Sequence, residues 1–462
     1  MHFKFVKDEG GKSYRRIGNR AKGYETFFKK KTTRVTLDED KACLAERSSF
    51  AVLDRSEDKR KRRAFEEALG ELHKGQDDAE VAAIMREREE RERFLGKFQG
   101  CLVGGAAGDA LGYAVEFMSR DSIIAKYGSG GIRHYCYPGG LPPAQFSDDT
   151  QMTLFTAAGI LEGSTRGCLR GIAEPAWSYA HRAYLDWLKT QEPGFEGNPG
   201  ATWLLGVPEL HAMRAPGNTC LAALRSGRMG TVEEPLNSSK GCGGVMRVAP
   251  WGLFVRREFD DRAVREGAGI AAVTHGHPLG WIPAGALCFI VNRCCYGVPE
   301  GCGNPSVELR RIVAECIERL PNWFPDQPKY ASEMADLLHR ALRYAENDST
   351  DSTNIARLGQ GWVGEEALAI AAYAAVRHAD SFSEAIIAAA NHDGDSDSTA
   401  AICGNIVGAL LGYDAIDAEW KQELELHDLI MEIAKDLCDD CPMDEYGHYR
   451  DEAWLAKYGG SR

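Results

Sequence analysis

The 462-residue chain has no run approaching the roughly 18 to 20 uninterrupted apolar residues that a spanning helix needs. Met1 to Val6 is also too short for the apolar core of a signal peptide. A cytoplasmic protein without a membrane partner is expected. Sustained apolar–polar alternation is nearly absent, which leaves an all-α body as the expected fold. Disulfide spacing is missing as well: the 14 cysteines are scattered through apolar stretches (Cys101, Cys288, Cys316, Cys403), and Cys294 and Cys295 are adjacent. They read as reduced core thiols. The single CxxC, Cys438 to Cys441, has no second Cys or His pair nearby and reads as incidental rather than as a zinc site.

Acidic residues are scarce at one end only. Residues 1–34 hold eleven Lys/Arg and three Asp/Glu, a local excess of +8, so a chain of net charge −13 carries −21 on the remainder. A basic arm on an acidic body binds something, either a partner or the body itself. Residues 1 to about 56 read as that arm, with short strands around Phe3 to Val6 and Thr33 to Leu37. Residues 57–98 read as a charged helical connector broken near Gly75-Gln76, with 1–90 as a unit apart from the body. The Lys29-Lys30-Lys31 run lacks the aromatic-interleaved basic repeats of a nucleic-acid binder.

From about residue 91 to 435 helical segments follow one another at 148–163, 261–274, 306–319, 332–346, 365–377, 383–391 and 398–412. Residues 436–462 form an acidic, aromatic tail (Tyr446, Tyr449, Trp454, Tyr458) expected to pack on the body. Glycines recur every fourth residue at Gly100, Gly104, Gly108 and Gly112, and again at Gly404, Gly408 and Gly412. On a helix such positions form a seam free of side chains, and close approach of two backbones is the compensation for poor helix propensity.

Two distant motifs carry the chemistry. Ser147-Asp148-Asp149-Thr150 and Asp395-Ser396-Asp397-Ser398 each put two carboxylates beside hydroxyls at the start of an apolar helix. These are hard oxygen donors, and four carboxylates balance two divalent cations, with Mg²⁺ or Mn²⁺ preferred over Zn²⁺. The competing reading makes Ser147 and Asp395 N-caps and the remaining acids complements to the helix dipoles. It leaves the extra carboxylates unexplained.

Four blocks in order resemble the ADP-ribosylglycohydrolase family, which includes the dinitrogenase-reductase-activating glycohydrolases. They are Gly100-Cys-Leu-Val-Gly-Gly-Ala-Ala-Gly-Asp109-Ala-Leu-Gly112 leading to Glu116, then Ser147 to Thr150, Ser239-Lys-Gly-Cys-Gly-Gly-Val-Met-Arg-Val-Ala-Pro250, and Asp393 to Thr399. The resemblance implies an all-α fold and a two-magnesium centre, in some members manganese. It also implies cleavage of the bond between C1″ of ADP-ribose and a protein side chain. By the same resemblance Ser147, Asp148, Asp149, Asp395, Asp397 and Ser398 match the metal ligands. Glu116 matches a glutamate against the ribose, with Glu116, Asp148 and Asp395 as the catalytic set. Ser239, Lys240, Gly241 and Gly243 belong to a phosphate-cradling loop in which glycines let backbone N–H groups approach a pyrophosphate. Cys242 stands where many relatives have Asn, and Lys240 where some have an aromatic.

The resemblance places His275 near the substrate. His277, two residues on, is weak metal evidence. Gly359 to Glu366 resembles a wall of the ribose pocket, against which Trp362 reads more simply as a core aromatic. The expected activity is metal-dependent removal of ADP-ribose from modified protein side chains, with arginine the linkage favoured by the Asp-Gly-Asp-Ser-Asp-Ser-Thr-Ala block. Serine-linked or small-molecule conjugates are alternatives. The extension over residues 1–90 resembles that of type VI secretion immunity proteins, which implies binding to a cognate ADP-ribosyltransferase toxin. A binding protein first and foremost is the alternative from another class.

Overall fold

The glycine stripes set the architecture of the computed structural model, which describes residues 2–7, 13–18, 78–192, 202–298, 303–443 and 450–460. Strands β1 (His2–Lys7) and β2 (Ser13–Gly18) pair antiparallel, with Phe5 opposite Arg15. The strand expected near Phe3 to Val6 is β1, and β2 was not foreseen. The one expected at Thr33 to Leu37, and the connector up to residue 77, lie outside the described residues.

The body begins with α1 (Asp78–Tyr113), α2 (Arg120–Tyr127), α3 (Asp148–Arg170), α4 (Ala176–Gln191), α5 (Asn218–Arg225), α6 (Ala249–Phe254), α7 (Asp260–Ala272) and α8 (Pro278–Gly297). It continues with α9 (Pro305–Trp323), α10 (Pro328–Ala345), α11 (Asp351–Leu358), α12 (Gly364–Arg377), α13 (Phe382–Ala390), α14 (Ser396–Leu411), α15 (Ala418–Gln422), α16 (His427–Asp439) and α17 (Glu452–Tyr458). All seven expected helical segments fall on helices, six of them within four residues at each end, whereas α3 runs seven residues beyond the expected end at 163. Helix α1 runs without a break across residue 90.

Helices α1 and α14 lie antiparallel, backbone against backbone, at the centre. A Cβ on Gly104 would sit 2.5 Å from the Gly404 carbonyl oxygen, on Gly108 2.0 Å from that of Ala400, and on Gly112 2.3 Å from that of Ser396. From the other side, a Cβ on Gly408 would meet the Gly100 oxygen at 1.9 Å. Backbone cannot yield as a side-chain tip can, so even alanine would force the helices apart. This close approach offsets the roughly 1 kcal/mol that each glycine forfeits relative to alanine in a helix interior. Gly412, grouped with the stripe by its spacing, instead terminates α14 with φ at 84°. The seam's register brings the start of α14 alongside the end of α1.

Helix α8 escapes the periodicity reading because it is apolar on every side: Leu279, Trp281, Ile282, Leu287, Phe289 and Ile290 are all buried. It is long and apolar enough to cross a membrane by length and composition, yet 89% of its most apolar window is buried inside the body. At the other end, Trp454 of α17 is buried and donates from Nε1 to Thr165 Oγ1 at 2.8 Å, and Tyr458 donates to Asp436 at 2.8 Å. Tyr446 and Tyr449 lie outside the described residues.

Candidate active site

Helix α3 starts as its sequence dictates: Ser147 is the N-cap, its hydroxyl accepting from the Asp149 N–H at 3.2 Å, with Asp148 and Asp149 in the first turn. A second acid completes the cap. Asp109, between Gly108 and Gly112 on α1, accepts from the Ser147 N–H at 2.8 Å, the Thr150 N–H at 2.9 Å and the Thr150 hydroxyl at 2.5 Å. Asp109 is fully buried, and burial, with Asp397 nearby, pushes its carboxyl up to about 7. Its role was missed in the sequence reading. The available signal was one acid interrupting a glycine-rich apolar helix.

Helix α14 starts in the mirrored way. Asp395 is the N-cap and accepts from the Ser398 N–H, while Asp397 and Ser398 occupy the first turn. Both capping assignments therefore hold, and the acids of α14 gather with Glu116, while Asp148 and Asp149 face them from α3 outside that tight group. Ligand atoms of Glu116, Asp395 and Asp397 lie within 4.8 Å of one another, all three residues buried. Burial raises the carboxyls of Asp148 and Asp149, and in each case the charge of Asp397 across the gap adds to the effect. Asp395 is raised by the same two causes, and Asp397 mainly by burial, against hydrogen bonds that include one from Ser147. Burial and then Asp397 push Glu116 up to about 10.

Among the described residues none of these five carboxylates forms an ion pair, and Glu116 Oε2 and Asp149 Oδ2 are buried with no hydrogen-bond partner. Arg214, whose carbonyl accepts from the Asp148 N–H at 3.1 Å, has its guanidinium committed to Glu425. Crowded oxygen donors without a counter-charge are what a divalent cation would satisfy, so the donor set fits such an ion.

The Ser239–Gly244 loop is pinned beside this cluster. Gly241 bridges to Val363, the Gly364 N–H donates to the Lys240 carbonyl at 2.8 Å, and the Cys242 N–H donates to the Trp362 carbonyl at 3.2 Å. Two amides expected to face a pyrophosphate are thus engaged within the protein, since the Gly241 N–H also donates to Ser239 Oγ at 3.3 Å. The Ser239 hydroxyl in addition meets Thr219 Oγ1 at 3.1 Å. Lys240 pairs with buried Glu365. His275 is buried beneath the loop, where a Cβ on Gly241 or Gly243 would lie 3.3 or 3.4 Å from its Nε2. Burial and then Arg247 lower it to about 3, so it is neutral, with Nδ1 at 2.9 Å from Thr274 Oγ1. His277 serves as the N-cap of α8. Trp362 is not a core residue. It is 40% exposed, and its ring stacks with that of Phe117, next to Glu116, at a centroid distance of 6.2 Å.

Comparison with known proteins gives this arrangement a family. The sequence model of the ADP-ribosylglycohydrolase family matches residues 90–446, well over half of the chain. The chain belongs to the ADP-ribosylglycohydrolase family. It is accordingly a hydrolase of the ADP-ribosylglycohydrolase type. It is similar to the ADP-ribosyl-[dinitrogen reductase] glycohydrolase of Rhodospirillum rubrum, 26% identical over 72% of this chain and 91% of the relative. The ADP-ribosylarginine hydrolase Tri1 of Serratia proteamaculans is 26% identical over 76% of this chain and 81% of that protein. A solved structure described as an ADP-ribosylglycohydrolase-related protein complex superposes with a TM-score of 0.52 at 22% identity, covering 75% of this chain and 99% of that one, a likeness in fold.

Proposed function

We propose that this ADP-ribosylglycohydrolase removes ADP-ribose from modified protein side chains with two divalent cations, Mg²⁺ or Mn²⁺, and that the bond it cuts is the N-glycosidic link to arginine. The observation that carries the reading is a buried patch in which Glu116, Asp395 and Asp397 bring ligand atoms within 4.8 Å of one another, with Asp148 and Asp149 of α3 close enough to feel the charge of Asp397 and, among the described residues, no positive side chain paired to any of them. Ser147, Asp148, Asp149, Asp395, Asp397 and Ser398 would hold the cations. When bound, they would supply charge neutralisation and Lewis acidity toward the ribose hydroxyls and a water.

The chain's own groups do the rest. Glu116, with Oε2 free, orients the attacking water at C1″, and it can take that water's proton once bound cations offset the burial and the neighbouring negative charge that push its carboxyl up to about 10. Asp148 and Asp395 stabilise the positive charge that grows on the ribose ring as the glycosidic bond stretches. Ser239, Lys240, Gly241 and Gly243 line the diphosphate side, where Lys240 can exchange Glu365 for phosphate oxygens, and neutral His275 supports the loop from below. The arginine preference is supported by the similarity to the ADP-ribosylarginine hydrolase of Serratia proteamaculans.

The test is to incubate the protein with arginine-, serine- and aspartate-linked ADP-ribosylated proteins, with Mg²⁺ or with EDTA. Release from arginine alone, abolished by EDTA, is expected; metal-independent release, or release only from serine, overturns the reading. A second reading concerns residues 1–90, nearly all outside the family match and carrying the basic arm: they contact a partner, a transferase toxin whose product the body erases. Deleting them should remove stoichiometric inhibition of such a transferase while hydrolysis survives. Unchanged inhibition by the truncated protein contradicts that role.

A further inference from the structure

The loop facing the acid cluster presents a sulfur. Cys242 Sγ lies 2.7 Å from Asp395 Oδ2 and 3.6 Å from Ser398 Oγ. Met246, one helical turn on, places its Sδ 4.0 Å from the same Ser398 hydroxyl. Asp395 in turn shares its cluster with Glu116 and Asp397, one ligand atom from each lying within 4.8 Å of the others. Independent of the cysteine, the patch holds carboxylate oxygens in want of a ligand: Glu116 Oε2 and Asp149 Oδ2 are unpartnered on residues only 7% and 3% exposed.

The thiol is also held in place. Bonds from the Cys242 N–H to Trp362 and from the Gly364 N–H to Lys240, with the Gly241–Val363 bridge, fix the loop on both sides of it. An ion seated on Asp395 therefore has a preorganised sulfur within reach as well as oxygens. Donor softness decides which ions benefit: oxygen alone suits Mg²⁺ and Mn²⁺, whereas a thiolate draws Zn²⁺, Cd²⁺ and Co²⁺.

We propose that the centre of this chain is a mixed oxygen–sulfur site, in which Cys242 joins Asp395 to hold a thiophilic divalent cation in competition with Mg²⁺. The proposal rests on the reading of the acid patch as a cation centre. Binding breaks the S–H bond, releases that proton to solvent and forms the sulfur–metal bond. No electron changes hands, and no further reactant is needed. Thiophilic ions would then displace the hard cation from one of its two places and set the enzyme's response to zinc or cadmium.

The experiment titrates the full-length chain with Co²⁺ and with Cd²⁺, reading the thiolate-to-metal charge-transfer absorbance. Mn²⁺ binding is followed in parallel by electron paramagnetic resonance. Wild type and a Cys438→Ser/Cys441→Ser double variant should both develop the band. Cys242→Ser and Cys242→Asn should lose it while still binding Mn²⁺, and Asp395→Asn should lose it too. A band that survives in either Cys242 variant, or one absent from wild type that nonetheless binds Mn²⁺, overturns the sulfur ligand alone. Failure of wild type to bind any of the three ions sinks this proposal together with the cation centre.

Discussion

The two helix starts that meet in the candidate site have the same local grammar and different foundations. Each has a capping side chain, two carboxylates and a hydroxyl, but α3 is anchored by a polar clamp, three hydrogen bonds onto Asp109. Helix α14 is anchored by packing, with Gly112 fitted against Ser396 and Asp397 and Gly404 against Gly104. One helix, α1, supplies both anchors, and Asp109 and Gly112, which hold the two helix starts themselves, lie within a single turn of it. The acids of the two motifs are thereby placed opposite one another although about 250 residues separate them.

Breaking the packing side should have the larger effect. Gly404→Val puts a branched side chain where even a Cβ would lie 2.0 Å from the Gly104 oxygen, and should destabilise the fold by about 3 kcal/mol or more. Chemical denaturation measures this; a wild-type midpoint would show that the seam is not needed. Breaking the polar side is milder for the fold and direct for the site. Asp109→Ala strands buried donors of Ser147 and Thr150, at a cost of about 1–3 kcal/mol. It should also weaken Mn²⁺ binding, because the first turn of α3 loses its clamp. Wild-type Mn²⁺ affinity in a folded Asp109→Ala protein would remove Asp109 from the account.

Acidity sharpens the same comparison. The carboxyls of Asp148, Asp149, Asp395 and Asp397 are all raised by burial, Asp109 to about 7 and Glu116 to about 10, so the folded chain binds more protons than the unfolded one. The unfolded groups titrate near about 4. Between those limits the stability of the metal-free chain falls as pH rises, and it is restored as pH drops through the window. Thermal unfolding in EDTA should therefore give a higher midpoint at about pH 5 than at about pH 8 relative to Asp397→Asn, whose slope should be flatter. Equal slopes would mean that the acids do not crowd one another. The smallest effect is expected at the rim: Trp362→Ala should leave folding intact, since the ring is 40% exposed, and raise KM for modified protein more than it lowers kcat. An unchanged KM would make the Phe117–Trp362 stack incidental.

Much of this was legible before any coordinates. Helix positions followed from periodicity, and the excess of acid over what two N-caps need pointed to a shared site, of which the structure brings Glu116, Asp395 and Asp397 together. What was not legible has physical causes. Helix α8 has no polar face, so it presents no period to detect. Trp362 has the composition of a core residue but sits in a loop bent by Gly359 and Gly361, both at positive φ, and so reaches the surface. The contact of Cys242 with Asp395 spans 153 residues of chain and depends on the loop's pairing with Trp362 and Val363, which no local pattern encodes.

The central claim is that the two motifs jointly form one cation centre, and Mn²⁺ titration monitored by electron paramagnetic resonance tests it most directly. Wild type should bind Mn²⁺, and folded Asp148→Asn and Asp397→Asn, one from each helix start, should each lose that binding. Undiminished Mn²⁺ binding in either variant would contradict a centre shared between them.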